Sequence, residues 1–173
     1  MNTNLNIGCG KDILPNYTNV DVQGFDGVDL VIDLNKTPWK LPSNYFQNIK
    51  MINVLEHLKI MPNETMNELY RISKNKCIIE IEVPFCNSQS ANSCDHIHRG
   101  FEMNCFESLI NSDINQCNFK GLIICKKFRT SSFGRVIPRI PIKISNCNNL
   151  RDIFAVLFNE VYTHIKVKLE VKK

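Results

Sequence analysis

The sequence holds no Cys-x-x-Cys pair, no apolar run long enough to cross a bilayer, and no apolar leader near its first residues. A membrane span takes about 18 or more residues without charge, and a secretory leader takes a basic start and an apolar core. In their absence the eight cysteines read as reduced thiols of a cytoplasmic protein rather than as a disulfide framework. Cys9, Cys77 and Cys125 stand among apolar neighbours, where a free thiol behaves as a small hydrophobe. Internal repeats, low-complexity tracts and breaks in composition are missing too, so residues 1–173 read as one domain able to bury a real core.

What is present is ordinary in bulk, with 43% apolar and 22% charged residues. The abundance of Asn, Ile and Lys is read as nucleotide bias in the source genome. The net charge of +4 is mild but uneven. Lys120, Lys126, Lys127, Arg129, Arg135, Arg139, Lys143 and Arg151 fall in a late stretch whose one acid is Asp152. Such a run is first a solvated face, and otherwise a surface for an anionic substrate, a nucleic acid or a membrane.

Leu5-Asn6-Ile7 is an apolar strand running into Gly8-Cys9-Gly10. Glycine there permits a sharp turn and a close approach to a ligand, and the N–H groups so freed cradle a polar small molecule. Further strands are read at 18–22, 28–33, 49–52, 77–84, 121–128 and 165–171. The connection from the first to the second is about the shortest that a parallel crossover tolerates, so any helix within it is stunted. Helices are expected from Asn63, which is placed to cap, through Met66, Leu69, Tyr70 and Ser73. Two more follow, from the capping box Asn104/Glu107 through Phe106, Leu109 and Ile110, and over 149–162. The last of these carries an apolar stripe of Leu150, Ile153, Phe154, Leu157 and Val161, which docks on the sheet or pairs two copies in a homodimer. Alternating charge and apolarity over 165–171 mark a half-solvated antiparallel strand.

Strands alternating with helices predict an α/β, Rossmann-like three-layer sandwich, its sheet mostly parallel with an antiparallel last strand. Ligands bind beyond the carboxyl ends of such strands. Gly8, Asp21, Asp33 and Asn53 all lie at those ends.

Taken in order, the pieces are Asn6-Ile7-Gly8-Cys9-Gly10, Asn19-Val20-Asp21, Asp33-Leu34, Val54-Leu55-Glu56-His57-Leu58, Val83-Pro84 and Cys94-Asp95-His96-Ile97-His98-Arg99. The pattern resembles class I S-adenosylmethionine-dependent methyltransferases, notably the small type-11-like group, over residues 5 to about 110. The resemblance implies that Gly8 and Gly10 pass beneath the methionine portion of the cofactor. It puts Asp21 on the ribose hydroxyls, Asp33 on the adenine amino group with the Leu34 amide at a ring nitrogen, and Asn53 near the reacting methyl. Residues 1–85 would then hold the cofactor and 86–173 the acceptor. A nicotinamide dinucleotide fits poorly, because Ile13 occupies the third glycine of its fingerprint and Asp21 follows at about half the roughly 20 residues expected of its ribose acid. The chain departs from the methyltransferase pattern as well. Asp12 stands at the third glycine, no helix leads into the first strand, and the crossover is short, all of which expose the cofactor.

Methyl transfer from a sulfonium is an in-line displacement that depends mainly on positioning, with a base where the acceptor must lose a proton. The candidates are His57 as base, Glu56 in the floor of the site, and His96 as a second base or acceptor-orienting group. Some ubiquinone-pathway O-methyltransferases bind a divalent metal through an acid followed by x-x-Glu-His. Here Asn53 replaces that acid, and an amide is the poorer ligand for hard cations. The spacings of Asp95, His96 and His98 with Cys86, Cys94 and Cys105 match no paired zinc motif, so no metal is expected. Trp39, Phe46, Phe85 and Phe101 either wall the pocket or belong to the core. The acceptor is a small molecule or glycan; a non-catalytic cofactor-binding scaffold is the alternative. A nucleic acid is the weakest reading, because no Asn-Pro-Pro-aromatic motif follows the fourth strand.

Overall fold

The computed structural model describes residues 1–86, 88–99, 101–102, 105–106, 108–109, 119–124 and 164–173. Seven strands form one sheet: β1 (Asn4–Ile7), β2 (Thr18–Asp21), β3 (Leu30–Val31), β4 (Phe46–Ile52), β5 (Ser73–Pro84), β6 (Phe119–Ile124) and β7 (His164–Val171). Their order across the sheet is β3-β2-β1-β4-β5-β7-β6. Every pairing from β3 to β5 is parallel, whereas β7 runs antiparallel to both of its neighbours. The expected α/β architecture with a mostly parallel sheet and an antiparallel last strand is therefore present.

Burial follows position in the sheet. In central β1, Leu5, Asn6 and Ile7 are all buried, as befits a parallel strand covered on both faces. In β7, Ile165, Val167, Leu169 and Val171 are fully buried and the residues between them are turned outward, with Lys166 Nζ 2.5 Å from Glu80 Oε1 on the neighbouring strand. The apolar side chains join one core with Phe46, Ile49, Met51, Leu55, Met66, Leu69, Ile79 and Ile81.

Several predicted boundaries change: β4 begins at Phe46 rather than 49 and β5 at Ser73 rather than 77, and two further shifts have a local cause. The third strand is Leu30–Val31 rather than 28–33, because the Asp29 carboxylate accepts the Asn19 backbone N–H at 2.7 Å and draws the chain into a turn there. Helix α1 (Pro62–Ile72) is capped by Met61, not by Asn63. Pro62 takes the first helical position, where a missing N–H costs nothing, and Glu64 Oε2 reaches back to accept the Met61 N–H at 3.0 Å. At the other end the Ser73 hydroxyl donates to the Leu69 carbonyl at 2.6 Å as the chain turns into β5.

The connections β1–β2, β2–β3 and β3–β4 contain no helix, in keeping with the stunted first crossover expected from its length. Of the helix predicted from Asn104, the residues Cys105, Phe106, Ser108 and Leu109 are helical; Asn104, Glu107 and Ile110 lie outside the described residues. So do the helix 149–162, with the homodimer surface it offers, and the basic stretch beyond Ile124. Among the described residues no helix is long and apolar enough to cross a membrane.

Helix α1 fixes the segment 37–43 through one ion pair. Arg71 meets Glu68 with two hydrogen bonds, Nε to Oε1 at 2.9 Å and Nη2 to Oε2 at 2.7 Å. Its remaining N–H groups donate to the carbonyls of Trp39 and Leu41 and to the Ser43 hydroxyl, while Glu68 Oε2 accepts the Trp39 N–H at 2.7 Å. Truncating Glu68 to Ala leaves the Arg71 guanidinium without its counter-ion and the Trp39 N–H without its acceptor. Urea denaturation of Glu68→Ala is expected to show a loss of about 3 kcal/mol, and Arg71→Lys, which cannot fork, is expected to fall between the variant and the wild type.

Candidate active site

An open cavity of about 250 Å³ lies beyond the carboxyl ends of β1, β2 and β4. It is lined by Gly8, Asp21, Val22, Asp33, Leu34, Asn35, Asn53, Val54, His57 and Leu58. The fold thus brings together five of the six residues assigned from sequence to the cofactor, with His57 beside them. Gly10, the sixth, is not in the lining. Its N–H instead donates to Asp21 Oδ2 at 2.8 Å.

The glycine loop is shaped by packing. Gly8 has φ +64°, and a Cβ there would stand 2.2 Å from Val54 Cγ2. No side chain fits, since the turn from β1 passes directly over the residue that follows Asn53. Beneath the loop lies a buried amide network that sequence reasoning missed. Asn6 Nδ2 donates to Asn19 Oδ1 at 3.0 Å and to the Asp12 carbonyl at 2.9 Å. Asn19 in turn exchanges two bonds with the Leu14 backbone, at 3.0 and 3.1 Å. The signal was available: asparagine is disfavoured in strands, and two of them occupy adjacent buried strands.

Each Asp21 oxygen accepts one backbone N–H, Oδ2 from Gly10 and Oδ1 from Gln23 at 2.9 Å, which leaves each a further lone pair. Asp33 accepts the Asn35 N–H at 3.1 Å and pairs with Lys36 at 3.3 Å. The Asn35 N–H, then Lys36, hold its carboxyl below the usual range, so it is ionised. Behind Leu34 the indole of Trp39 donates to the Leu34 carbonyl at 2.9 Å. Trp39 is buried and absent from the lining; with Phe46, and with Phe101 stacked on Phe106, it belongs to the core. Asn53 sits at φ +54°, a left-handed conformation that asparagine tolerates better than most residues, and its N–H donates to the Glu82 carbonyl at 2.9 Å.

Beside the cavity is a 3-10 turn, Leu55–His57. Its Glu56 carbonyl accepts the N–H groups of Ile97 and His98, at 2.8 and 3.0 Å, and so draws the loop after β5 onto the turn. His96 then packs edge-on against His57, ring centroids 4.7 Å apart. His57 Nδ1 lies 3.3 Å from the Asp95 carbonyl and 3.7 Å from Asp95 Oδ2. The three residues assigned to catalysis, Glu56, His57 and His96, therefore meet. His98 goes elsewhere, its Nε2 2.9 Å from the Ile60 carbonyl.

Glu56 is 1% exposed, and neither carboxylate oxygen has a hydrogen-bond partner. Burial pushes its pKa from the ordinary 4.5 up to about 7, with the charges of Asp95 and Glu82 adding to the rise; its own backbone N–H and His57 oppose it.

No protein-family model matches the sequence, and no curated protein is similar to it by sequence. Solved structures match it by fold. A SAM-dependent methyltransferase from Archaeoglobus fulgidus has TM-score 0.60 and 16% identity, over 96% of this chain and 85% of its own. Phosphoethanolamine N-methyltransferase 2 of Haemonchus contortus, solved with S-adenosyl-L-methionine, has TM-score 0.57 and 13% identity over 99% of this chain and 49% of its own. The [4+2]-cyclase SpnF has TM-score 0.57 and 11% identity over 98% of this chain and 74% of its own. At these identities the likeness establishes the fold.

The buried acid sets a pH dependence. The folded state keeps the Glu56 proton up to about pH 7, whereas the unfolded chain releases it near 4.5. The folded state therefore binds more protons between these values, and stability falls as pH rises through them. Relative to Glu56→Gln, the wild type is expected to lose on the order of 3 kcal/mol between about pH 4.5 and 8, read from urea denaturation at each pH.

Proposed function

We propose that this chain, which has the fold of the class I S-adenosylmethionine-dependent methyltransferases, binds S-adenosylmethionine in the cavity at Gly8 and transfers its methyl group to a small-molecule or glycan acceptor. The observation that carries this reading is the convergence of Gly8, Asp21, Asp33, Leu34, Asn53 and His57 on one cavity. The donor set suits the cofactor. Asp21 retains acceptor capacity for the two ribose hydroxyls, Asp33 is ionised and able to accept from an exocyclic amine, and two carboxylates favour a sulfonium cation nearby. Val22 and Leu34 offer apolar contact for a base. The cavity is smaller than the roughly 300–1,000 Å³ of enclosed ligand sites, so part of the cofactor projects toward solvent.

When bound, S-adenosylmethionine supplies an electrophilic methyl. The residues of this chain hold the acceptor in line with it and take up any proton it loses. His57, at the cavity wall with Nδ1 turned to Asp95, presents Nε2 as the base. His96 orients the acceptor from the loop after β5, and buried Glu56 underpins the pair. A second reading, binding without turnover, is favoured by the abbreviated loop, in which Asp12 stands at the third glycine position and no helix fills the first crossover. The nucleic-acid reading rests on the basic stretch alone.

A thermal-shift titration tests cofactor binding. S-adenosylmethionine at about 100 times its Kd is expected to add roughly 2.7 kcal/mol of stability, and Asp21→Ala to remove most of that gain; a shift undiminished by Asp21→Ala counts against the site. With an acceptor that turns over, His57→Ala is expected to lower kcat by about 10²–10⁴-fold while leaving the cofactor shift intact.

A further inference from the structure

Glu56, His57 and His96 each place a donor atom within 4.8 Å of the other two. Two imidazoles and a carboxylate so close are a chelating set, and the state of Glu56 makes them more than neighbours. A carboxylate removed from water without a hydrogen bond costs several kcal/mol. Backbone N–H groups and Lys36 satisfy Asp21 and Asp33, the acids that line the cavity, whereas neither oxygen of buried Glu56 has a hydrogen-bond partner. The rings are themselves oriented. His57 Nδ1 faces the Asp95 carbonyl and carboxylate, and His96 Nδ1 lies 3.4 Å from the Ala91 carbonyl. A proton on each Nδ1 leaves the Nε2 lone pair for a metal, the arrangement in which ligating histidines are held by acceptors behind them.

We infer that Glu56, His57 and His96 form a binding site for one divalent transition-metal ion of the zinc class. The donor set separates candidate ions: imidazole nitrogen with a single carboxylate suits zinc, cobalt or iron, while magnesium and calcium call for oxygen ligands throughout. Donors at about 2.0–2.2 Å from zinc stand roughly 3.3–3.5 Å apart in a tetrahedron, so the cluster closes by movements of about 1 Å. His57 on a short turn and His96 on a partly exposed loop can supply them. Three protein ligands leave a position for water or an acceptor oxygen, next to the cavity that His57 lines. An acceptor hydroxyl bound there would be activated by the ion, with His57 serving as ligand rather than base. Binding of the ion does not depend on the methyl-transfer reading.

Equilibrium dialysis of the full chain, stripped of metal, against Co²⁺ tests the site. One Co²⁺ per chain, with visible ligand-field bands and displacement by Zn²⁺, is expected. Glu56→Gln and His96→Ala are each expected to weaken binding by about tenfold to hundredfold or more, while Cys94→Ser and His98→Ala leave it unchanged. Circular dichroism establishes that each variant is folded; His96→Ala, on the loop, carries the comparison should Glu56→Gln fail. No binding at millimolar Co²⁺, binding that survives His96→Ala, or binding lost in Cys94→Ser overturns the proposal. S-adenosylmethionine is absent from the dialysis, so failure here leaves the thermal-shift outcome standing, and failure there leaves this one standing.

Discussion

The glycine loop stays in place because two asparagines are buried beneath it. A parallel crossover ordinarily carries a helix whose own hydrogen bonds satisfy its backbone. Here the 8–17 connection has none, and its polar groups would be stranded against the sheet. Asn6 and Asn19 satisfy the carbonyls of Asp12 and Leu14 and the Leu14 N–H. The strands thereby perform the helix's task with side-chain amides. The Gly8 and Asp21 side of the cavity inherits its position from this substitution, since Cys9 N–H reaches the Val20 carbonyl and Gly10 N–H reaches Asp21 only while the loop lies flat. A loop held from below also leaves its upper surface open, and the cavity is correspondingly shallow.

The His57 and His96 side of the cavity depends on a different contact. The Glu56 carbonyl, not its carboxylate, gathers the loop after β5 by accepting two consecutive N–H groups. One peptide unit therefore couples the turn after β4 to the loop after β5 and sets the distance between His57 and His96. The side chain of the same residue is left inside, unpaired. Backbone and side chain of Glu56 thus do separate jobs, and only the first of them stabilises the fold.

Much of this was legible in the residues. The parallel strands show short apolar stretches, Cys77-Ile78-Ile79 in β5 the plainest of them, and β7 shows alternation, because a half-covered strand buries every second residue. The convergence of Gly8, Asp21, Asp33 and Asn53 followed from strand ends alone. Other features were hidden for physical reasons. Pro62 overrode Asn63 as the start of α1, since a fixed φ and an absent N–H outrank a capping side chain one position later. Asp29 was read into a strand because its neighbours are apolar, although its carboxylate belongs to Asn19. The grouping of Glu56 and His57 with His96 could not be read from spacing, which counts ligands along one segment. The third group arrives through a backbone contact between two loops.

Three departures from ordinary stability rules fall within this one region. Gly8 lies at φ +64° with no room for a Cβ, Asn53 lies at φ +54°, and Glu56 is a buried acid without a partner. Among the described residues the other non-glycine positions at positive φ, Asn16, Asn44 and Lys76, lie outside the cavity lining. Around the cavity the costs differ in kind: a steric demand, a dihedral and a desolvated carboxyl group. Better packing of the core would relieve none of them, because each arises from what faces the cavity. A glutamine at 56 would serve the sheet as well or better, so the sheet does not explain the buried acid. Local rules are broken together where a site imposes its own demands, and Gly8, Asn53 and Glu56 form such a group beside this cavity.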